Sequence, residues 1–300
     1  MQFTVSRRAI AMALLVAVSG AAQAQATGWV PFASVTPVYQ GKGDLDGGGD
    51  YSAWSTILRA GTLGDLGGGR RAGVVLNYDY TDYAFASPGA FGGAAPWSAV
   101  QRYGIATPLS FAVSDAWYVG LTPSFDWIHE RGANVGESLT WGAFVTATQF
   151  FADGNLLGFG LGVFDRLEQT SVFPLLIVDW KLSDRWRLAN PLPAGPTGPA
   201  GLELDYRFDG GWNVGLGAAW RTTRFRLSNT GPAANGVGEE RGVPIFLRAT
   251  RSFGPGMTLN LYGGFVTAGQ LRVEDSYGKV LRKVDVDPAP LLGATLSARF

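Results

Sequence analysis

Trp117-Tyr118-Val119-Gly120-Leu121-Thr122-Pro123-Ser124-Phe125-Asp126-Trp127 sorts by parity into two unlike sets. The odd positions hold Trp, Val, Leu, Pro, Phe and Trp, and the even positions hold Tyr, Gly, Thr, Ser and Asp. A period of two puts the sets on opposite faces of a β-strand. The same division recurs along the chain. Leu157, Phe159, Leu161 and Val163 oppose Gly158, Gly160 and Gly162, and Leu202, Leu204, Tyr206 and Phe208 oppose Glu203, Asp205 and Arg207. Trp212–Arg221 and Met257–Phe265 follow suit.

Parity alone does not say which face meets what, because a soluble sandwich alternates in the same way with its apolar side inward. Three features decide for lipid outside. Trp117 and Trp127 share one face ten positions apart, which in a tilted strand is roughly 24 Å along a membrane normal, near the height of an outer-membrane apolar band. Trp212 and Trp220 repeat that spacing on a shorter span, and Trp180 and Trp186 flank a tight turn, so these six tryptophans form the expected aromatic girdle. The polar faces carry Asp, Glu and Arg in mid-strand, which a sandwich core would not bury. The last strand ends in Phe300, with Ala298, Leu296, Ala294 and Leu292 on its face.

Connections alternate between tight and long. Ser114-Asp115, Asp153-Gly154-Asn155, Ser183-Asp184-Arg185, Asp209-Gly210-Gly211 and Gly254-Pro255-Gly256 are tight; Gly41–Asp50, Ala84–Trp97, His129–Glu137, Asn190–Ala200, Ser228–Arg241 and Gly269–Val286 are long. Short periplasmic turns and roomy outer loops belong to an up-and-down barrel in a bacterial outer membrane. The expected fold is therefore all-β, a transmembrane up-and-down antiparallel β-barrel. Its strands fall near 29–40, 51–60, 71–83, 98–111, 116–128, 137–151, 155–167, 172–182, 186–190, 200–208, 212–227, 241–252, 257–268 and 287–300. That makes about 14 strands, or about 12 if a hairpin is lost at the short ninth strand or at the first, which holds Pro31 and Pro37.

Residues 1–26 read as a signal peptide: Arg7 and Arg8, an apolar run over Ala9–Val18, then Ala-x-Ala sites at Ala22–Ala24 and Ala24–Ala26. Ser6-Arg7-Arg8 echoes a twin-arginine signal but lacks its downstream residues. Residues 27–300 form the barrel domain; the Pro/Gly-rich Pro191–Pro199 reads as a loop because the strand rhythm resumes after it. The chain has 24 basic and 24 acidic residues, and removal of Arg7 and Arg8 leaves a slightly acidic protein with no general attraction for nucleic acid. Zero cysteines and one histidine exclude a disulfide framework and zinc spacing, and no cofactor or metal is expected. Asp44, Asp46 and Asp50 around Gly47-Gly48-Gly49 lack the closing Glu of a calcium loop and read as a polar outer loop.

Leu291–Phe300 resembles the C-terminal signal of Gram-negative outer-membrane barrels, with Phe300 matching the terminal aromatic and Leu296 and Ala298 the outward apolar positions. The resemblance implies recognition by the barrel assembly machinery. Glu203-Leu204-Asp205-Tyr206 and Pro290-Leu291-Leu292-Gly293 are similar to uncharacterised barrel families and imply no functional residue.

The inward parity carries Asp126, Asp179, Glu203, Asp205, Arg207, Arg221 and Arg248. They make either a charged constriction in a passive channel for small polar or amphipathic solutes, or paired charges in a barrel with a blocked lumen. The inward glycines at 158, 160, 162, 215 and 217 are expected to widen the lumen. A third reading is a lipid-modifying enzyme at the outer rim using His129, with Glu130 beside it and Ser138 across the loop. Arg221, Arg224 and Arg226 crowd one outer strand end, where lipopolysaccharide phosphates would be within reach. Outer-membrane lipids, possible lipopolysaccharide contacts and small solutes complete the expected partners.

Overall fold

The structure is a computed structural model that describes residues 28–192 and 200–300. The proposed signal peptide and most of Pro191–Pro199 lie outside the described residues. The strand segments are β1 (Trp29–Asp44), β2 (Asp50–Gly67), β3 (Arg70–Ala86), β4 (Val100–Ala106), β5 (Leu109–Ala112), β6 (Trp117–Glu130), β7 (Leu139–Phe150) and β8 (Leu156–Arg166), then β9 (Thr170–Lys181), β10 (Trp186–Ala189), β11 (Ala200–Arg207), β12 (Trp212–Arg226), β13 (Val237–Phe253), β14 (Met257–Glu274), β15 (Val280–Val286) and β16 (Ala289–Arg299).

These sixteen segments make fourteen staves. β4 and β5 pair with the same two neighbours, β3 and β6, and are one stave interrupted at Thr107-Pro108. β15 and β16 both pair with β14 and are one stave interrupted at Asp287-Pro288. Proline has no N–H to give the ladder, so both breaks fall where a donor is missing. Each stave lies antiparallel to its sequence neighbours, and β16 closes the barrel on β1 from Phe32↔Arg299 to Gln40↔Leu291. The Phe300 amide donates to Pro31 O at 3.0 Å. The described staves thus form a closed ring, the condition for backbone in hydrocarbon. The ring continues on both sides of residues 193–199, because β10 pairs directly with β11.

Burial along the wall follows parity. In β8, Leu157, Phe159, Leu161 and Val163 are exposed on the outside while Gly158, Gly160, Gly162, Phe164 and Arg166 are buried. Leu121 faces outward, as do Trp117, Trp186, Trp212 and Trp220; Trp127 and Trp180 are half-buried on the same surface. With an apolar exterior and a closed ring, the molecule is an outer-membrane β-barrel.

The outer connections differ from expectation. Three stretches expected as long loops are largely strand: β1 runs to Asp44, β13 begins at Val237, and β14 with β15 makes a hairpin through Gly269–Val286. Register shifts mark the passage, between Gln40 and Gly43 in β1 and between Thr267 and Gln270 in β14. Each inserts an extra residue and so exchanges the faces of the strand beyond it. Leu259, Leu261 and Phe265 face out below the β14 bulge, yet Leu271 and Val273, of the same parity, are buried above it.

Those buried residues belong to a core that closes the outer mouth. Phe225, Leu227, Leu271, Val273, Val284 and Val286 pack with Leu45, Tyr51, Tyr83, Trp97, Val100 and Ile128. Phe225 meets Trp97 edge-on at 5.1 Å, and Tyr51 stacks on Phe85 at 5.5 Å. The end of β12 crosses far enough to pair with β6, Arg226 beside His129.

Candidate functional site

Beneath this cap lies a lumen chamber of about 380 Å³, within the ~300–1,000 Å³ range of small-molecule sites. Its wall has two characters. From β2 to β6 the inward positions build a ladder of charge. Arg59 forms a two-pronged pair with Asp79, Arg102 reaches Asp79 at 3.3 Å, and the Arg102 Nε donates to Asp126 at 2.8 Å. Asp79 lies opposite Arg102 in the β3–β4 register, so the alternating signs follow from strand pairing.

From β7 to β9 the same chamber is lined by Phe144, Phe164, Phe173 and Leu175, with Arg166 and Thr140 above them. Phe144 and Phe164 pack edge-to-face at 5.0 Å, and Phe164 meets Phe173 at 6.1 Å. Gly162 makes room for these rings, since a Cβ there would collide with both Phe144 and Phe164.

The chamber roof is polar. Glu240 accepts hydrogen bonds from Tyr51 at 3.0 Å and Tyr83 at 2.6 Å. Arg221 donates to Gln40 at 2.8 Å and approaches Glu240 at 3.4 Å, and Gln40 donates to Tyr51 at 2.7 Å. Pro174, Ala200 and Trp220 also line the chamber, at the seam above the four-residue β10. There Asn190 stitches the wall: its side chain accepts from Val178 N at 2.8 Å and donates to Leu176 O at 2.8 Å and Gly201 O at 2.9 Å.

The other charges singled out by parity form separate groups. Arg248 Nε donates to Glu203 at 2.7 Å and Arg248 reaches Asp205 at 3.3 Å, so the three form one patch of wall instead of facing one another across water. Gly215 lets this patch form, because a Cβ there would strike Glu203 Oε1 and Asp205 Oδ1. Asp179 pairs with Arg187 near the periplasmic end, and Arg207 is exposed at the end of β11. The inward glycines do not open the lumen as expected: all five are buried, and Cβ atoms at Gly158, Gly160, Gly162, Gly215 and Gly217 would meet backbone or side-chain atoms that already fill the space beside them.

The arginines expected to meet lipopolysaccharide are turned inward. Arg224 is buried, bound to Glu239 at 3.4 Å, to Glu274, and to the backbone carbonyls of Arg166 and Leu167 at 2.8 Å each. Arg226 holds Glu168 at 2.7 Å and the Glu137 carbonyl at 2.9 Å. His129 and Ser138 are not joined. The His129 Nδ1 lies 3.0 Å from the Glu130 carbonyl and its ring stacks on Tyr103, while the Ser138 hydroxyl donates to Val135 O at 2.7 Å.

Sequence reasoning passed over Arg166, Thr140 and the three phenylalanines. Their inward parity was legible, but nothing in one strand's alternation shows which strands share a chamber.

No protein-family model and no curated protein matches the chain. Among solved structures it is similar to an outer-membrane channel of Pseudomonas putida F1, with 11% identity over 92% of this chain and 97% of that one and a TM-score of 0.48. The toluene transporter TodX of Pseudomonas putida follows at 10% identity, 91% and 89% coverage and a TM-score of 0.47. The translocator domain of the autotransporter NalP from Neisseria meningitidis shares 11% identity over 96% and 94%, with a TM-score of 0.34. The likeness is one of barrel architecture.

Proposed function

We propose that the protein is a passive outer-membrane channel for small amphipathic solutes. The observation that carries this reading is the chamber, whose lining joins a charged ladder to a bed of phenylalanines. A merely structural interior has no need of space bounded by both. Straight passage requires the cap to move, so conduction takes the form of brief openings. Planar-bilayer recordings of purified, folded barrel test this: discrete openings are expected, and complete silence across voltages and salts would overturn it. The cap itself favours a second reading, a structural barrel with a blocked lumen, and silence in the same experiment is that reading's signature.

Three associated assignments follow. Residues 1–26 are removed on export, checked by the N-terminus of protein taken from outer membranes. The assembly machinery reads the terminal strand through Phe300, so deletion of Phe300 lowers outer-membrane levels. Lipopolysaccharide phosphates meet the cations that the outer segments expose, Lys42, Lys279, Arg282 and Lys283. Their joint replacement by Gln should weaken lipopolysaccharide binding.

A further inference from the structure

The chamber lining holds four arginines, Arg59, Arg102, Arg166 and Arg221, but three carboxylates, Asp79, Asp126 and Glu240. Arg59 and Arg221 are each joined to one of those carboxylates and Arg102 to two. Arg166 is different. It is 8% exposed, and among the described residues its guanidinium has no hydrogen-bond or ion-pair partner. It lies over the Phe173 ring, 5.3 Å from the centroid. The carboxylate that bears on it most, Glu239, is held by Arg224 at 3.4 Å and Arg272 at 3.3 Å. The residue opposite Arg166 in the β7–β8 register is Thr140, whose buried hydroxyl also has no partner. A buried cation and a buried hydroxyl, both lining one cavity above aromatic rings, are an unusual pair to leave unmatched.

The backbone holds Arg166 in place. Its amide donates to Gln169 O at 2.8 Å, and its carbonyl accepts from the Arg224 Nε at 2.8 Å. The backbone of Arg166 is therefore fixed and its guanidinium rests over the Phe173 ring before any ligand arrives, which lowers the ordering cost of binding.

We propose that Arg166, Thr140, Phe144, Phe164 and Phe173 form a binding subsite for small aromatic carboxylates. The carboxylate takes the Arg166 fork and the Thr140 hydroxyl, and the ring lies among the phenylalanines. The assignment rests on the channel reading for the route by which such an anion arrives.

Calorimetric titration of folded barrel in a non-ionic detergent tests the subsite, with benzoate and the neutral benzyl alcohol as probes. Wild type should bind benzoate about tenfold or more tightly than benzyl alcohol, as expected for a hydrogen bond to a charged group. Arg166→Gln should weaken benzoate by about the same factor and leave benzyl alcohol nearly unchanged, while Arg166→Lys keeps part of the preference. Phe173→Leu should weaken both probes. Heat-modified gel mobility checks folding; if Arg166→Gln does not fold, Thr140→Val, expected to weaken benzoate alone, carries the test with Phe173→Leu. Equal binding of the two probes by wild type, or unchanged benzoate affinity in Arg166→Gln or Thr140→Val, overturns the subsite. A silent barrel that still prefers benzoate removes the channel reading and leaves the subsite. A conducting barrel indifferent to these substitutions does the reverse.

Discussion

The membrane wall and the outer cap are made from the same strands and obey opposite rules. In the wall, β8 sends Leu157, Phe159, Leu161 and Val163 outward and keeps glycines inside. In the cap, β14 turns Leu271 and Val273 inward and buries Glu274 against Arg224 and Arg272. The wall borders lipid on one side and the lumen on the other, so each strand is two-faced on its own. The cap is bordered by water and must gather a core from many segments, as a soluble domain does. The extra residues in β1 and β14 are where one rule gives way to the other.

The strongest test of that division is to break the charge at the centre of the cap. Arg224→Ala leaves Glu239 and Glu274 buried with one cation, Arg272, between them. Loss of one partner in a buried ion network costs about 3–5 kcal/mol. The loss should be local: hydrogen exchange should rise in the outer parts of β12–β15 and at the outer end of β8, whose last carbonyl Arg224 holds, while the rest of β6–β8 stays protected, and channel openings should lengthen. Uniform loss of protection would show that cap and wall are one cooperative unit.

A smaller effect belongs to the wall. Leu121 faces lipid, opposite Leu109 on one neighbour and Val145 on the other. Leu121→Arg should cost roughly 2–4 kcal/mol if the position is near the midplane, read by denaturant unfolding in lipid vesicles. A cost near zero would place Leu121 outside the apolar band.

Gly215→Ala probes the inner face of the same wall. The new methyl would displace the carboxylate ends of Glu203 and Asp205 from Arg248; these ends can shift, so the cost should fall at the low end of overpacking, about 1 kcal/mol. If the glycine were there to widen an open lumen, the substitution would be tolerated and would lower conductance instead.

These cases show what one sequence could disclose. The fourteen staves, their outward apolar faces and the closure at the terminal strand were legible because period two is local, and each strand declares its faces alone. The cap was not. Ser228–Arg241 and Gly269–Val286 are rich in Gly and charge and read as loops, while the partners that order them, such as Tyr51 and Tyr83 for Glu240, lie over a hundred positions away. The lumen charges were visible as inward but not as pairs, since Arg248 finds Glu203 only through the register of three neighbouring strands. The expected effect of the inward glycines failed for a related reason. A missing side chain widens a lumen only when the neighbouring strand does not fill the space.

The smallest expected effect sharpens the comparison most directly, because it keeps the chemistry and changes only the surroundings. Arg187 and Asp179 form a two-pronged pair on neighbouring strands, as close as any in the cap. Both side chains remain about half exposed, at 53% and 40%. Water therefore solvates either charge when the other is removed, and salt screens their attraction. Arg187→Gln should change stability by roughly 0–1 kcal/mol at moderate salt, and the difference should shrink further at high salt. Arg224→Ala has no such refuge, since the carboxylates it leaves behind are buried. If the two substitutions cost the same, burial is not what separates cap from wall, and the cap is wetter in solution than its packing indicates.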